Sequence, residues 1–142
     1  MTELHYLHVP TDTPVIFPLE LDVFRCLLIL DRTVSDEFQW ELSKQLVAEG
    51  CLYAMAWGEN CSSWDDSIDD ANILEFVDHQ IPAERYVMTT WHPNETLEEA
   101  LRYAKYDSTL SYDDRRLEQL LILDFSQRER QAELKMMFAK VS

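Results

Sequence analysis

The sequence predicts an α/β domain: a small three-layer fold in which a mostly parallel sheet of four core strands alternates with helices, with an N-terminal edge strand beside them. Three observations lead there. Short apolar runs alternate four times with stretches of helical periodicity, the pattern that lays helices against the faces of a parallel sheet. The runs Phe24–Leu30 and Cys51–Trp57 are almost continuously apolar, as strands covered on both faces must be. A chain of 142 residues with 46% hydrophobic side chains and four Trp holds enough apolar surface for one core, and hence one domain over residues 1–142, and far too much for a disordered segment.

The N-terminal residues Leu4–Val9 and Val15–Phe17 are broken by Pro10, Pro14 and Pro18, so they are expected to supply an edge strand or an extended cover. The first core run ends at Asp31. Ser35 is placed to cap the following helix, where Phe38, Leu42 and Leu46 recur every fourth residue and Gly50 stands at the C-terminal cap. The second run leads through Gly58, Glu59, Asn60 and Cys61 to Ser62 and Ser63. Ser63 with Asp66 has the spacing of a helix-start box, which predicts a helix from about Trp64 that ends before Pro82.

The third run, Tyr86–Trp91, is followed by His92, Pro93 and Asn94, and then by Thr96 with Glu99, a second capping box. Leu97, Ala100, Leu101 and Ala104 then mark one helical face. The polar stretch Asp107–Arg116 reads as a surface loop before the fourth strand, Leu117–Leu123, which ends at Asp124. Ser126 with Glu129 is expected to open the last helix, with Leu134, Met137, Phe138 and Val141 on its buried face.

Composition removes several function classes. With only two glycines, Gly50 and Gly58, the chain has no glycine-rich phosphate cradle of the P-loop or dinucleotide-binding kind. The third strand ends in Trp91 and His92 rather than an acceptor Asp, which argues against a phosphoryl-receiver role. The formal net charge is -15, and its distribution is uneven: no Lys or Arg lies between Lys44 and Arg85, where Glu49, Glu59, Asp65, Asp66, Asp69, Asp70, Glu75, Asp78 and Glu84 all fall. Such a field repels nucleic acid and anionic membranes and favours encounter with basic partners. No apolar run reaches transmembrane length, the N-terminus lacks a signal-peptide pattern, and the three cysteines are odd in number and widely spaced. The expected location is the cytoplasm.

Ligands of open parallel sheets collect at the carboxyl ends of the strands. The polar residues there are Asp31 and Arg32, then Glu59, Asn60 and Cys61, then His92, then Asp124. One reading is a small hydrolase or transferase, with Cys61 as nucleophile, His92 as base and Asp31 or Asp124 orienting the imidazole, or with a metal held by His92 and carboxylates. Against it, Asp31 and Asp124 are also ordinary turn formers, and no family-specific sequence surrounds Cys61. His5 and His8 lie three apart on a strand, on opposite faces, and could not share a metal.

The other reading is an acidic module that captures or neutralises a basic protein partner, as an immunity protein or antitoxin would. Its candidate contact residues are Glu59, Trp64, Asp65, Asp66, Asp69 and Asp70. Asp65 faces Asp69 and Asp66 faces Asp70 on a helix, repulsive pairs that a cationic partner would relieve. Trp57, Trp64 and Trp91 fall near the same strand ends and could add aromatic contact surface. The acidic spacing does not match an EF-hand. The sequence assigns no metal and no cofactor, and the binding reading is favoured over the enzyme.

Overall fold

The computed structural model describes residues 2–110 and 117–142. Its elements run β1 (Glu3–His8), β2 (Phe24–Leu30), α1 (Asp36–Glu49), β3 (Cys51–Gly58), α2 (Cys61–Leu74), β4 (Met88–His92), α3 (Leu97–Tyr106), β5 (Gln119–Asp124) and α4 (Gln131–Lys140), with two short 3₁₀ turns between α2 and β4. The five strands form one sheet in the order β1-β5-β2-β3-β4, and every neighbouring pair is parallel. The expected four core strands and N-terminal edge strand are therefore present.

The apolar runs explain the burial. All seven residues of β2 are buried, because β5 and β3 flank it and a helical layer covers each face. On one face α1 and α2 close over Cys26, Leu28, Leu30, Ala54, Ala56, Leu121 and Leu123. On the other, α3 and α4 close over Leu27, Ile29, Met55, Leu120 and Ile122. Leu27 stands level with Ile122 on one side and Met55 on the other, so the β2–β5 and β2–β3 registers present one apolar stripe to each layer. The register slips once, between Phe24 and Arg25, which leaves Leu52 without a partner. The proline-broken segment after β1 makes no second strand. It lies as an extended cover on the α1 face, with Val9 and Phe17 buried and the Phe17 ring 6.2 Å from that of Phe24.

Several helix signals act as expected. The Ser35 hydroxyl accepts the Phe38 N–H at 3.1 Å, Gly50 takes the left-handed cap with φ 108°, and Thr96 and Glu99 make both bonds of their capping box. Two others do not. α2 starts at Cys61, three residues ahead of the expected place, and the Ser63–Asp66 box is unused. Gly58 (φ 107°) turns the chain so tightly that a Cβ there would sit 2.4 Å from the Leu30 carbonyl oxygen. The Glu59 N–H bonds that same oxygen, and Asn60 in the left-handed region then launches the helix at once. α4 starts at Gln131 rather than at Ser126, because Ser126 is spent on a turn. Its N–H goes to Asp124 and its hydroxyl to the Arg128 carbonyl, while the Glu129 carboxylate accepts the Gln131 N–H.

β4 begins at Met88 rather than Tyr86, since Ala83–Arg85 form a 3₁₀ turn and the Val87 N–H is taken by the Asn72 side chain. In the expected surface loop, Ser108 and Leu110 are in fact buried; its residues 111–116 lie outside the described residues.

Candidate functional site

The chain leaves β2 towards α1 on one face and leaves β5 towards α4 on the other. A crevice between diverging connections is where an open parallel sheet takes a ligand. Here the protein's own side chains fill it. Asp124, fully buried at the end of β5, accepts bonds from Arg130 Nε (3.1 Å) and Nη2 (2.9 Å), from the Tyr6 hydroxyl (2.7 Å) and from the Ser126 N–H (3.2 Å). Arg130 Nη2 also reaches Asp31 at 2.7 Å, and the Tyr6 oxygen accepts the Arg130 N–H. Burial alone would push the Asp124 carboxyl up, but the bonds from Arg130, Tyr6 and Ser126 outweigh it and hold the group below its ordinary value. The same burial, with Asp124 alongside, pushes the Tyr6 phenol well up. Beside this cluster, Arg32 pairs with Asp12 at 2.6 Å and lies over the Phe125 ring.

Of the four residues considered for catalysis, the fold thus joins Asp31 and Asp124, through a guanidinium. His92 lies on the far edge strand and packs on the α3 face, its ring 4.6 Å from that of Tyr103. Both of its nitrogens are engaged, Nε2 by Thr90 and Nδ1 by Glu95, each at 2.9 Å. Cys61 is buried at the start of α2 in the core of the opposite face, so the sheet separates thiol from imidazole. The other two thiols are also free and buried, and burial raises that of Cys51 to about 12. Among the described residues, no group of three or more His, Cys, Asp and Glu is placed to hold a metal ion, and no helix is long and apolar enough to cross a membrane.

The acidic residues of α2 divide by helical position. Asp66 and Asp70 are exposed, as are Glu59 and Glu75 on either side of the helix. Asp69 is half-buried and accepts the Thr89 hydroxyl at 2.7 Å. Asp65 is only 7% exposed, and among the described residues its Oδ1 has no hydrogen-bond partner. Burial pushes the Asp65 carboxyl up; Thr89 offsets this only in part, and the Asp69 and Asp66 charges add to it. Asp69 is raised in the same way, by burial first and then by Asp66 and Asp70. Among the described residues, no Lys or Arg forms an ion pair with any of these four. The bordering cations are used elsewhere: Lys44 pairs with Glu41, and Arg85 bonds the Val47 carbonyl and stacks on Phe76. At its C-terminal end α2 exposes Ile73 and Leu74, with Val77 just beyond.

The tryptophans do not share one surface. Trp64 is buried edge-on against Phe125, so it anchors the acidic helix rather than touching a partner. Trp57 donates its indole N–H to the Glu95 carbonyl on the α3 side, while Trp91 is half-exposed on β4. An open groove of about 880 Å³ follows the outside of α1, with Glu37, Glu41 and Glu75 among its lining residues.

Sequence reasoning missed Arg130, Tyr6 and Thr89. Arg130 follows Asp124 by six residues, but Arg128 lies closer in the sequence and pairs instead with Glu133, so spacing alone does not single Arg130 out. Tyr6 and Thr89 carry no local signal, because their positions follow from strand order.

A parallel sheet wound on both faces, with its strand-end crevice closed by an internal ion-pair cluster, defines a three-layer α/β domain of the doubly wound class. Residues 4–141 match the family model described as Domain of unknown function (DUF7684), and the chain belongs to that family. No curated protein and no solved structure matches it.

Proposed function

We propose that this protein is an acidic binding module that captures or neutralises a basic protein partner, in the manner of an immunity protein or antitoxin. The observation that carries the reading is the surface of α2, where the exposed carboxylates Asp66 and Asp70 form no ion pair with a Lys or Arg among the described residues and stand on the same helix as exposed Ile73 and Leu74. Exposed apolar surface beside a field of one sign suits a partner that covers the apolar residues and supplies the opposite charge. The net charge of -15 disfavours nucleic acid and anionic membranes as partners. Three free, buried thiols suit a reducing cytoplasm.

The test is capture by the tagged chain from its native host, washed at low and then high salt, with the retained proteins identified by mass spectrometry. Repeating it with Asp66→Lys and Asp70→Lys together is the decisive step. Both positions are exposed, so the fold should tolerate the change, whereas reversal of buried Asp65 would disrupt packing. A stoichiometric basic protein that is released by salt and lost from the double variant supports the reading. A partner retained equally by both proteins removes α2 as the interface.

A further inference from the structure

β4 is an edge of the sheet. It pairs with β3 on one side, and among the described residues no strand flanks it on the other. A parallel edge strand of this kind offers outward-pointing N–H and C=O groups to any extended chain. Side chains alternate along it: Thr90 and His92 point to the α3 face, where His92 packs on Tyr103. Thr89 and Trp91 point to the α2 face, where Thr89 bonds Asp69. There Trp91 is 51% exposed, and one oxygen of the nearly buried Asp65 carboxylate has no hydrogen-bond partner among the described residues. Thr89 has a single hydroxyl proton, which goes to Asp69. Two carboxylates one helical turn apart therefore share one donor, at the border of an open strand edge.

We propose that the outer edge of β4 takes up an extended segment of the basic partner as a sixth strand, and that a Lys or Arg of this segment meets the Asp65 and Asp69 carboxylates beside Trp91. This rests on the basic-partner reading above and specifies where and how the partner docks. An added strand alternates its side chains in step with β4, so every second one falls on the α2 face. A cation there finds two carboxylates and an indole face together. Charge selects the occupant: two copies of this chain joined along β4 would bring two acidic α2 helices together, whereas a basic segment neutralises one.

The probe is an eight-residue peptide alternating Lys and Val, titrated by tryptophan fluorescence and followed by amide hydrogen exchange at Met88–His92. Companion peptides carry Glu in place of Lys, or N-methyl groups on one or the other set of alternate amides. The Lys peptide should bind and slow exchange along β4, and the Glu peptide should not bind. One N-methylated peptide should lose binding and the other keep it, because only one set of amides faces the edge. Asp69→Asn, which retains an acceptor for Thr89, and Trp91→Ala should each weaken binding about fivefold to tenfold while leaving the melting temperature within a few degrees.

Binding of the Lys peptide without protection of β4, with both methylated peptides equally good, would overturn the strand-addition site and leave the basic-partner reading standing. A Lys peptide that does not bind would overturn the site as well, and the capture experiment then decides the broader reading on its own.

Discussion

Arg130 holds together the end of the sheet where a ligand would otherwise enter. It bonds Asp124 twice and Asp31 once, and its N–H fixes the hydroxyl of Tyr6, so a single side chain ties β1, β5, the start of α4 and the residue after β2. Arg130→Met would leave the fully buried Asp124 carboxylate without its cation. Loss of one partner from such a pair costs about 3 to 5 kcal/mol, and thermal melts at neutral pH should show a loss of that order. The pH dependence has a definite sign. Because the Asp124 carboxyl is held below its ordinary 3.8 in the folded protein, its contribution is complete above about pH 4 and is lost as pH falls through the lower folded value. The variant should therefore show less of this acid-side loss than the wild type. An Arg130→Met protein that melts like the wild type at neutral pH would mean the cluster contributes nothing net.

At the scale of elements, the alternation of strand and helix is written locally and was legible. Continuous apolar runs mark β2, β3 and β5, and caps built from neighbouring residues, Ser35 with Phe38 and Thr96 with Glu99, mark α1 and α3. The starts of α2 and α4 were not legible, because they are decided by contacts between distant residues: Leu30 with Glu59 in one case, and Asp124, Tyr6 and Arg130 around the turn in the other. The candidate site was legible to the same degree. The acidity of α2 is evident from the sequence, but which of its acids are covered depends on β4 lying beneath it. Trp64, a contact candidate by composition, is a core residue because its ring packs on Phe125 just after β5. One junction tests how tightly the elements are joined: a Cβ at Gly50, where φ is 108°, would lie 2.4 Å from the Asp22 carbonyl oxygen. Gly50→Ala should lower stability by about 2 kcal/mol or more through backbone strain and this clash, measurable by urea denaturation. A change within a few tenths would show that the α1–β3 turn relaxes freely.

For the whole molecule, charge is the dominant variable. A net charge of -15 on 142 residues repels itself more strongly in the compact state than in the unfolded chain. Salt that screens beyond about 10 Å should therefore stabilise the fold. The melting temperature is expected to rise between roughly 10 and 300 mM NaCl, before salting-out effects enter. A falling melting temperature would show that ion pairs such as Arg130 with Asp124 and Asp31 outweigh the long-range repulsion.

The strand order also fixes when the sheet can close. β1 and β2 are separated in space by β5, which is the last strand to be made. During synthesis β2, β3 and β4 can assemble with their helices while β1 waits unpaired and one flank of β2 stays bare. At typical translation rates the interval from the end of β2 to the end of β5 is on the order of ten seconds. A nascent chain halted before β5 is made therefore carries a bare apolar edge along β2, which β5 covers when it pairs there and brings β1 into the sheet.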